Sequence, residues 1–119
     1  MPDMHSHHAI DYIEFAVRDL AAAKRFYTEA FGWSFIDYGP KYAAIKGTER
    51  EVGGFFETDD VRAGGPLVIL YSDDLERSVL AVTKAGGAIS KEPYDFPGGR
   101  RFHFSDPSGN ELAVWSSKT

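Results

Sequence analysis

Apolar and polar residues alternate along the chain in two blocks that share one layout. In the first block, alternation from Ile10 to Val17 predicts a strand with one apolar face. Asp19 then stands at a helix N-cap position and Gly32 at the C′ position. The helix between them has an apolar stripe of Leu20, Ala23, Phe26, Tyr27, Ala30 and Phe31. Three short strands are predicted next, over Trp33–Tyr38, Tyr42–Lys46 and Val52–Glu57.

The second block repeats this order. Leu67–Tyr71 is apolar and β-rich, Asp74 is an N-cap, and Gly86-Gly87 closes a helix with a stripe of Leu75, Val79 and Val82. Ala88–Lys91 is the next predicted strand. The interval from Asp19 to Asp74 equals that from Gly32 to Gly87, so the two helices are in register. The sequence therefore predicts an α+β fold of two tandem βαβββ modules.

A β-hairpin completes the second module. Arg101–Phe104 and Glu111–Trp115 both alternate in character, and Asp106–Asn110 between them is rich in turn-forming residues. Side chains on a strand point to opposite faces in turn, which puts Phe102, Phe104, Leu112 and Val114 on the core face. The other face then carries Arg101, His103, Glu111, Ala113 and Trp115.

These motifs resemble those of the vicinal-oxygen-chelate superfamily, which includes glyoxalase I, extradiol dioxygenases and fosfomycin- and bleomycin-resistance proteins. The resemblance rests on Asp19-Leu20, Arg25-Phe26-Tyr27 and Phe31-Gly32-Trp33 in the first module, and on Asp73-Asp74-Leu75, Ala85-Gly86-Gly87 and the DPSGN turn in the second. More narrowly, the chain is similar to short glyoxalase- or bleomycin-resistance-like proteins. The resemblance implies sheets curled around a concave cavity, and a homodimer.

The resemblance also implies where a metal would be held. Metal-dependent members place His, Glu or Gln at cavity positions that correspond here to Tyr12, Gly53, Leu67 and Ala113. Leucine, alanine and glycine have no donor side chain, and a lone tyrosine is a poor ligand for a divalent ion. We therefore expect no metal at these positions, no cofactor, and neither glyoxalase I nor dioxygenase activity.

Length and composition limit the remaining possibilities. A chain of 119 residues, 43% hydrophobic and 26% charged, is expected to form a single globular domain. The net charge of −5 disfavours nucleic acid as a partner. A membrane is disfavoured because no apolar run of spanning length occurs. The absence of cysteine and of a recognisable signal peptide favours the cytoplasm.

The domain is expected to divide into four segments. Residues 1–9 have no apolar periodicity and are predicted to be a flexible tail, on which His5, His7 and His8 would bind metal adventitiously. The first module is predicted over residues 10–58 and the second over 67–117. Residues 59–66 are a charged, glycine-containing linker between them.

Polar and aromatic residues are expected on the cavity face, and Glu14 and His103 are the candidates for acid–base chemistry. A carboxylate near an imidazole holds its tautomer and is expected to raise its pKa. The candidate binding residues are Tyr12, Phe55, Arg101, Glu111 and Trp115. Two other roles stay open: Arg101 and Glu111 could form a simple cross-strand ion pair, or two carboxylates and the imidazole could hold an unorthodox metal. The aromatic residues could equally lie in a dimer interface.

Three classes of function follow. The first is a metal-free small-molecule-binding protein of the bleomycin-resistance kind, whose acidic charge and aromatic walls suit a planar or cationic ligand. The second is a lyase or isomerase that uses Glu14 and His103 without metal or with an atypical one. The third is a structural or partner-binding module, since one fold serves many functions.

Overall fold

The computed structural model describes residues 5–61 and 65–117. Its elements occur as β, α, β, β, β and then again as β, α, β, β, β, so the predicted α+β class with two βαβββ modules is confirmed. They are β1 (Ile10–Val17), α1 (Leu20–Phe31), β2 (Phe35–Asp37), β3 (Tyr42–Lys46), β4 (Glu51–Glu57), β5 (Leu67–Tyr71), α2 (Leu75–Lys84), β6 (Ala88–Phe96), β7 (Gly99–Ser105) and β8 (Glu111–Ser117).

The chain divides into two compact units, one formed by residues 12–66 and the other by residues 67–117 with residues 5–11. In the first unit the strand order is β2-β3-β4-β1. β1 runs parallel to β4, with Phe15 opposite Phe55, and β3 is antiparallel to β4. Helix α1 covers one face of this sheet, and the buried core there consists of Leu20, Ala43, Ile45 and Phe55.

Both ends of α1 are capped as the sequence predicts. The Asp19 carboxylate accepts from the Ala22 amide at 3.0 Å, and Glu57 accepts from the Leu20 amide at 2.9 Å. These bonds satisfy donors that the first helical turn leaves without intrahelical partners. Gly32 ends the helix at φ 74°, in the left-handed region that glycine adopts without a steric cost.

The apolar stripe of α1 is narrower than predicted. Leu20 is buried and Ala23 and Tyr27 pack beside it, but Phe26 and Phe31 are 58% and 66% exposed. Positions i, i+3 and i+7 form one line along a helix, and Phe26 lies to one side of that line. Phe31 is the last residue of α1, where it contacts Tyr27 and Trp33 but stays exposed. Including Phe26 and Phe31 in the core-facing apolar stripe was wrong.

In the second unit the strand order is β5-β8-β7-β6. The predicted hairpin is confirmed, with β7 antiparallel to β8 and Phe102 opposite Val114. Leu75 from α2 packs against both of these side chains, with Phe104 at the edge of the cluster. The predicted assignment of faces therefore holds on β7, since His103 lies between two residues that point towards the helix.

Asp106 organises the turn between β7 and β8. Its Oδ1 accepts from the amides of Ser108 and Asn110, each at 2.9 Å, and its Oδ2 accepts from the Asn110 side chain. These donors stabilise the charged carboxylate, and the Asn110 bonds contribute most to holding the pKa of Asp106 below its usual value. Gly109 supplies the positive φ, 90°, that closes the turn.

Strand β6 is longer than predicted. The sequence limits it to Ala88–Lys91, whereas the structure continues it to Phe96, with register shifts against β7 on both sides of Lys91. Pro93 and the charged residues around it weaken the alternating pattern, and proline is tolerated at bulges and on edge strands. The extension brings Tyr94 and Phe96 beside β7.

The described part of the predicted tail makes specific contacts. The His8 amide donates to the Tyr71 carbonyl at 2.6 Å, and the Tyr71 amide donates to the Ala9 carbonyl at 3.1 Å. The Ala9 amide also donates to the Ser6 carbonyl, which closes a turn. Residues 1–4 of the tail and 62–64 of the linker lie outside the described residues.

The N-cap of α2 gives a first prediction on stability. Asp74 Oδ1 accepts from the Arg77 amide at 3.2 Å. We expect Asp74→Ala to lower the free energy of unfolding by about 1 kcal/mol, the typical cost of losing such a cap. Urea denaturation measures this loss. The neighbouring Asp73→Ala is the control, and equal losses from the two variants would contradict the capping role.

Candidate functional site

Each module carries polar side chains on the sheet face opposite its helix. In the second unit this face includes Arg101, His103, Glu111 and Trp115, as predicted. His103 is 6% exposed, and Arg101 and Trp115 are opposite each other in the register of β7 and β8. We call this set, with Tyr94, the second-module face.

The hydrogen bonds of His103 fix its tautomer. Its Nδ1 lies 3.3 Å from Glu111 Oε2, and its Nε2 lies 3.1 Å from the Tyr94 hydroxyl. A carboxylate can only accept, so Nδ1 carries the proton. In the neutral ring Nε2 then accepts from Tyr94, whose oxygen also accepts from Arg101 Nε. The result is one chain of hydrogen bonds, in which Arg101 donates to Tyr94, Tyr94 to His103, and His103 to Glu111.

The structure corrects the expected pKa of His103. Burial disfavours the imidazolium and lowers the pKa below its ordinary value, and the positive charge of Arg101 lowers it further. Glu111 acts in the opposite direction but with less effect. The expectation of a raised pKa was wrong because it considered the carboxylate and left out the burial. His103 is therefore neutral near pH 7.

This direction predicts a pH effect on stability. Just below pH 6.5, the ordinary pKa of histidine, His103 takes up a proton in the unfolded chain. In the folded protein it stays neutral there, because its pKa is lower. Stability must then fall as the pH drops through this range. We expect the His103 ring resonances in NMR to titrate below pH 6.5, and the acid-induced loss of stability to be smaller in His103→Asn. An imidazole that titrates above pH 6.5 would contradict this.

Arg101 lies over two aromatic rings. Its guanidinium carbon lies 5.7 Å from the ring centre of Tyr94 and 6.0 Å from that of Phe96. Lys91 also lies over Tyr94, at 5.6 Å. Cation–π contacts of this kind help to fix the position of the planar guanidinium.

Trp115 belongs to a second group on the same unit. Its indole Nε1 donates to Asp11 Oδ2 at 2.9 Å, and its ring meets Tyr71 edge-on at 5.1 Å. His5 lies against both rings, stacked on Tyr71 and perpendicular to Trp115. Phe96 is 6.1 Å from the Trp115 ring centre. The second unit thus combines aromatic walls with a buried carboxylate.

In the first unit the polar face is built around Glu14. Glu14 is 8% exposed and accepts from the Tyr42 hydroxyl at 2.9 Å. The Tyr12 and Tyr42 hydroxyls are 2.6 Å apart. Because Tyr42 gives its proton to Glu14, Tyr12 must donate to Tyr42. Gly54 leaves room for this pair, since a Cβ there would lie 2.1 Å from the Tyr42 hydroxyl.

Both tyrosines stay protonated across the physiological range. Burial, with Glu14 nearby, raises the pKa of Tyr12 to about 12, although its bond with Tyr42 acts in the opposite direction. The pKa of Tyr42 is raised more strongly, chiefly by burial and next by the charge of Glu14. The two neutral hydroxyls of Tyr12 and Tyr42 therefore form a hydrogen-bond chain that ends at the Glu14 carboxylate.

Phe55 does not belong to either polar face. Its side chain is fully buried beside Leu20, in edge-to-face contact with Phe15 at 5.5 Å. Its parallel pairing with Phe15 puts it on the side of α1, opposite to Glu14. The prediction of Phe55 as an aromatic wall of the cavity is therefore corrected.

The structure groups the remaining candidates within each unit. Tyr12 and Glu14 lie together in the first, and Arg101, His103, Glu111 and Trp115 lie on one face in the second. The convergence of Glu14 and His103 on one ligand stays a prediction. Sequence reasoning missed Tyr42, Tyr94, Asp11, Tyr71 and His5. Strand alternation indicates the face of Tyr42, but it does not identify the side chain that Tyr42 will contact.

The positions that hold a metal in related metalloenzymes do not fit one here. In the first unit a Cβ on Gly53 would lie 2.3 Å from the Ile13 carbonyl oxygen, so a ligating side chain has no space. In the second unit Leu67 and Ala113 carry no donor atom, and Ala113 is fully buried. We therefore derive no chemical step through a metal at these positions.

Fold and sequence together place the chain in a family. Residues 9–114 match the model of the Glyoxalase/Bleomycin resistance protein/Dioxygenase superfamily, and the chain belongs to this family. Within residues 5–61 and 65–117, neither helix is long and apolar enough to cross a membrane.

The chain is similar to one curated protein and to two solved structures that illustrate its sequence and its fold. The chain is 29% identical to the anthracycline biosynthesis protein DauV of Streptomyces sp. strain C5, over 89% of its own length and 40% of that protein's. It is 25% identical to the Mn(II)-bound glyoxalase from Novosphingobium aromaticivorans, with a TM-score of 0.71, covering 95% of this chain and 42% of that one. It is 16% identical to the Streptomyces coelicolor methylmalonyl-CoA epimerase in complex with 2-nitronate-propionyl-CoA, with a TM-score of 0.73, covering 96% of this chain and 100% of the epimerase.

Proposed function

We propose that the protein binds a planar, cationic small molecule without a metal, as bleomycin-resistance-like members of the family do. The observation that carries this proposal is the second-module face, where Trp115 and Tyr94 provide aromatic surface beside fixed polar groups. Ligand sites are typically apolar surfaces with a few oriented polar anchors. The buried, neutral His103 meets that description, because its hydrogen bonds leave it one orientation.

Charge supports a cationic ligand. The chain carries a net charge of −5, and Glu111 and Asp11 supply carboxylates on the same unit as Trp115. Arg101, held on Tyr94, supplies an anchor for an acceptor group on the ligand. The relative named for anthracycline biosynthesis points to the same chemistry, since an anthracycline is a flat ring system with a basic amino sugar.

Daunorubicin is therefore a suitable first probe, and NMR is the first test. We expect it to bind the tag-free protein saturably and to shift the amide resonances of Arg101, His103 and Trp115. The amides around Phe26 on the exposed side of α1 serve as the internal reference. Shifts spread evenly over both regions, or no saturation, would contradict a defined site on the second-module face.

The alternative function is a metal-independent or atypical-metal lyase or isomerase. A specific observation favours it: Glu14 and His103 are both buried, and each is oriented by a tyrosine hydroxyl. A neutral His103 could accept a proton at Nε2 once Tyr94 moves aside. Turnover of hemithioacetal or epoxide substrates by EDTA-treated protein, lost in both Glu14→Gln and His103→Asn, would establish this function.

A homodimer in the cytoplasm completes the proposal. Phe55 cannot lie in a dimer interface because its ring is buried, but Leu80 of α2 is 70% exposed and offers apolar surface for association. Sedimentation velocity at micromolar concentration should show a species of twice the monomer mass. A single species of monomer mass would refute the dimer.

A further inference from the structure

We propose that Tyr71, Trp115 and Asp11 form a binding slot for a planar ring with an N–H donor, and that the imidazole of His5 fills this slot as an internal occupant. We call these three residues the ring slot. The inference rests on the proposed small-molecule-binding function and adds to it a subsite for planar nitrogen heterocycles such as imidazoles.

The walls of the ring slot fit a flat ring. His5 is stacked on Tyr71, with ring centres 4.9 Å apart and planes 19° apart. It meets Trp115 edge-on at 5.0 Å and 88°. Tyr71 and Trp115 are themselves inclined at 75°. Two aromatic walls at a steep angle accept a planar group against one and its edge against the other, which is the favoured geometry for aromatic pairs.

The base of the ring slot selects an N–H donor. The Asp11 side chain is 3% exposed, and its Oδ1 lies 2.7 Å from His5 Nδ1. Because the carboxylate accepts only, the imidazole is the donor, and this distance is typical of charge-assisted hydrogen bonds. Trp115 donates to the other oxygen, Oδ2. A ring that lacks an N–H cannot make the hydrogen bond that His5 donates to Oδ1, so it should bind more weakly.

His5 reaches the slot through a short turn. The Ser6–Ala9 hydrogen bond closes this turn, and Ala9 pairs with Tyr71 at the end of β5. Opening the turn would release the imidazole without changing the pairing of β5 with β8. A foreign ring must displace His5, so its apparent affinity is its intrinsic affinity multiplied by the fraction of molecules in which the slot is empty.

4-Methylimidazole, the free analogue of the histidine side chain, tests this directly. Removing the internal ring in His5→Ala should let the probe bind at least ten-fold more tightly than to the wild type. His7→Ala, which removes a neighbouring imidazole that contacts Asp73 rather than the ring slot, is the matched control and should behave as the wild type. Toluene, a planar ring without nitrogen, should bind His5→Ala at least ten-fold more weakly than 4-methylimidazole.

The indole N–H resonance of Trp115 is the readout, with that of Trp33 as the internal reference. Binding of 4-methylimidazole to His5→Ala should move the Trp115 signal alone. If His5→Ala is not folded, excess probe added to the wild type should shift the Trp115 indole and the His5 ring signals together. Equal affinity for wild type and His5→Ala, equal binding of toluene, or an unmoved Trp115 signal would each overturn the proposal.

The daunorubicin experiment distinguishes a failure of the ring slot from a failure of the proposed small-molecule-binding function. If 4-methylimidazole binds His5→Ala while daunorubicin and other planar cations do not bind either form, the ring slot stands and the proposed function fails. If daunorubicin binds the wild type at the second-module face while 4-methylimidazole binds His5→Ala no more tightly than the wild type, the function stands and the ring slot fails.

Discussion

Phe102→Ala is expected to lower the free energy of unfolding by about 3–5 kcal/mol. Phe102 is fully buried between Leu75 of α2 and Val114 of β8, so truncation removes apolar contacts and leaves a cavity. For a domain whose total stability is typically about 5–15 kcal/mol, this is a large fraction. Urea denaturation with a constant m-value measures the loss directly.

The matched control is Phe26→Ala, the same truncation at a phenylalanine that is 58% exposed on α1. We expect it to change the free energy of unfolding by less than about 0.5 kcal/mol, as surface substitutions usually do. Equal losses from Phe102→Ala and Phe26→Ala would mean that the faces of β7 are assigned wrongly, and that His103 rather than Phe102 points towards the helix.

Trp115→Ala is expected to weaken daunorubicin binding at least about 30-fold, or ~2 kcal/mol. The substitution removes the largest aromatic wall of the second-module face and the indole N–H that reaches Asp11. Isothermal titration calorimetry gives the affinity, and a thermal melt confirms that the variant is folded at the temperature of the titration.

Phe31→Ala is the control for unspecific stacking, because Phe31 is 66% exposed and lies on α1. Its affinity for daunorubicin should equal that of the wild type. An affinity unchanged by Trp115→Ala, or lowered equally by both substitutions, would place the ligand somewhere other than the second-module face.

The parts of the fold that follow local rules are predictable from the sequence. Asp19 and Asp74 at N-caps, Gly32 at a helix end and the alternation around His103 each depend on neighbours along the chain. Errors arise where packing between distant parts of the chain decides which residues are buried and where a strand ends. Phe26 lies at a helical spacing compatible with the core but is left exposed, and β6 continues through Pro93 because β7 pairs with it.

The candidate site is predictable only to the level of faces. Alternation places His103 and Glu14 opposite the helices, but nothing local indicates that Tyr94 orients the first and Tyr42 the second. The direction of the His103 pKa shift also depends on burial, which needs the folded structure. Residues 5–9 have no apolar periodicity, so the contact of His5 with Asp11 has no signal in the sequence.

Daunorubicin titration of one tag-free sample before and after EDTA treatment, with elemental analysis of both states, tests metal-independent binding most directly. Gly53, Leu67 and Ala113 offer no donor atoms, so we expect less than about 0.1 divalent ion per chain and the same dissociation constant, within two-fold, in both states. About one ion per chain, held through Tyr12 and lost together with daunorubicin binding on EDTA treatment, would contradict the account.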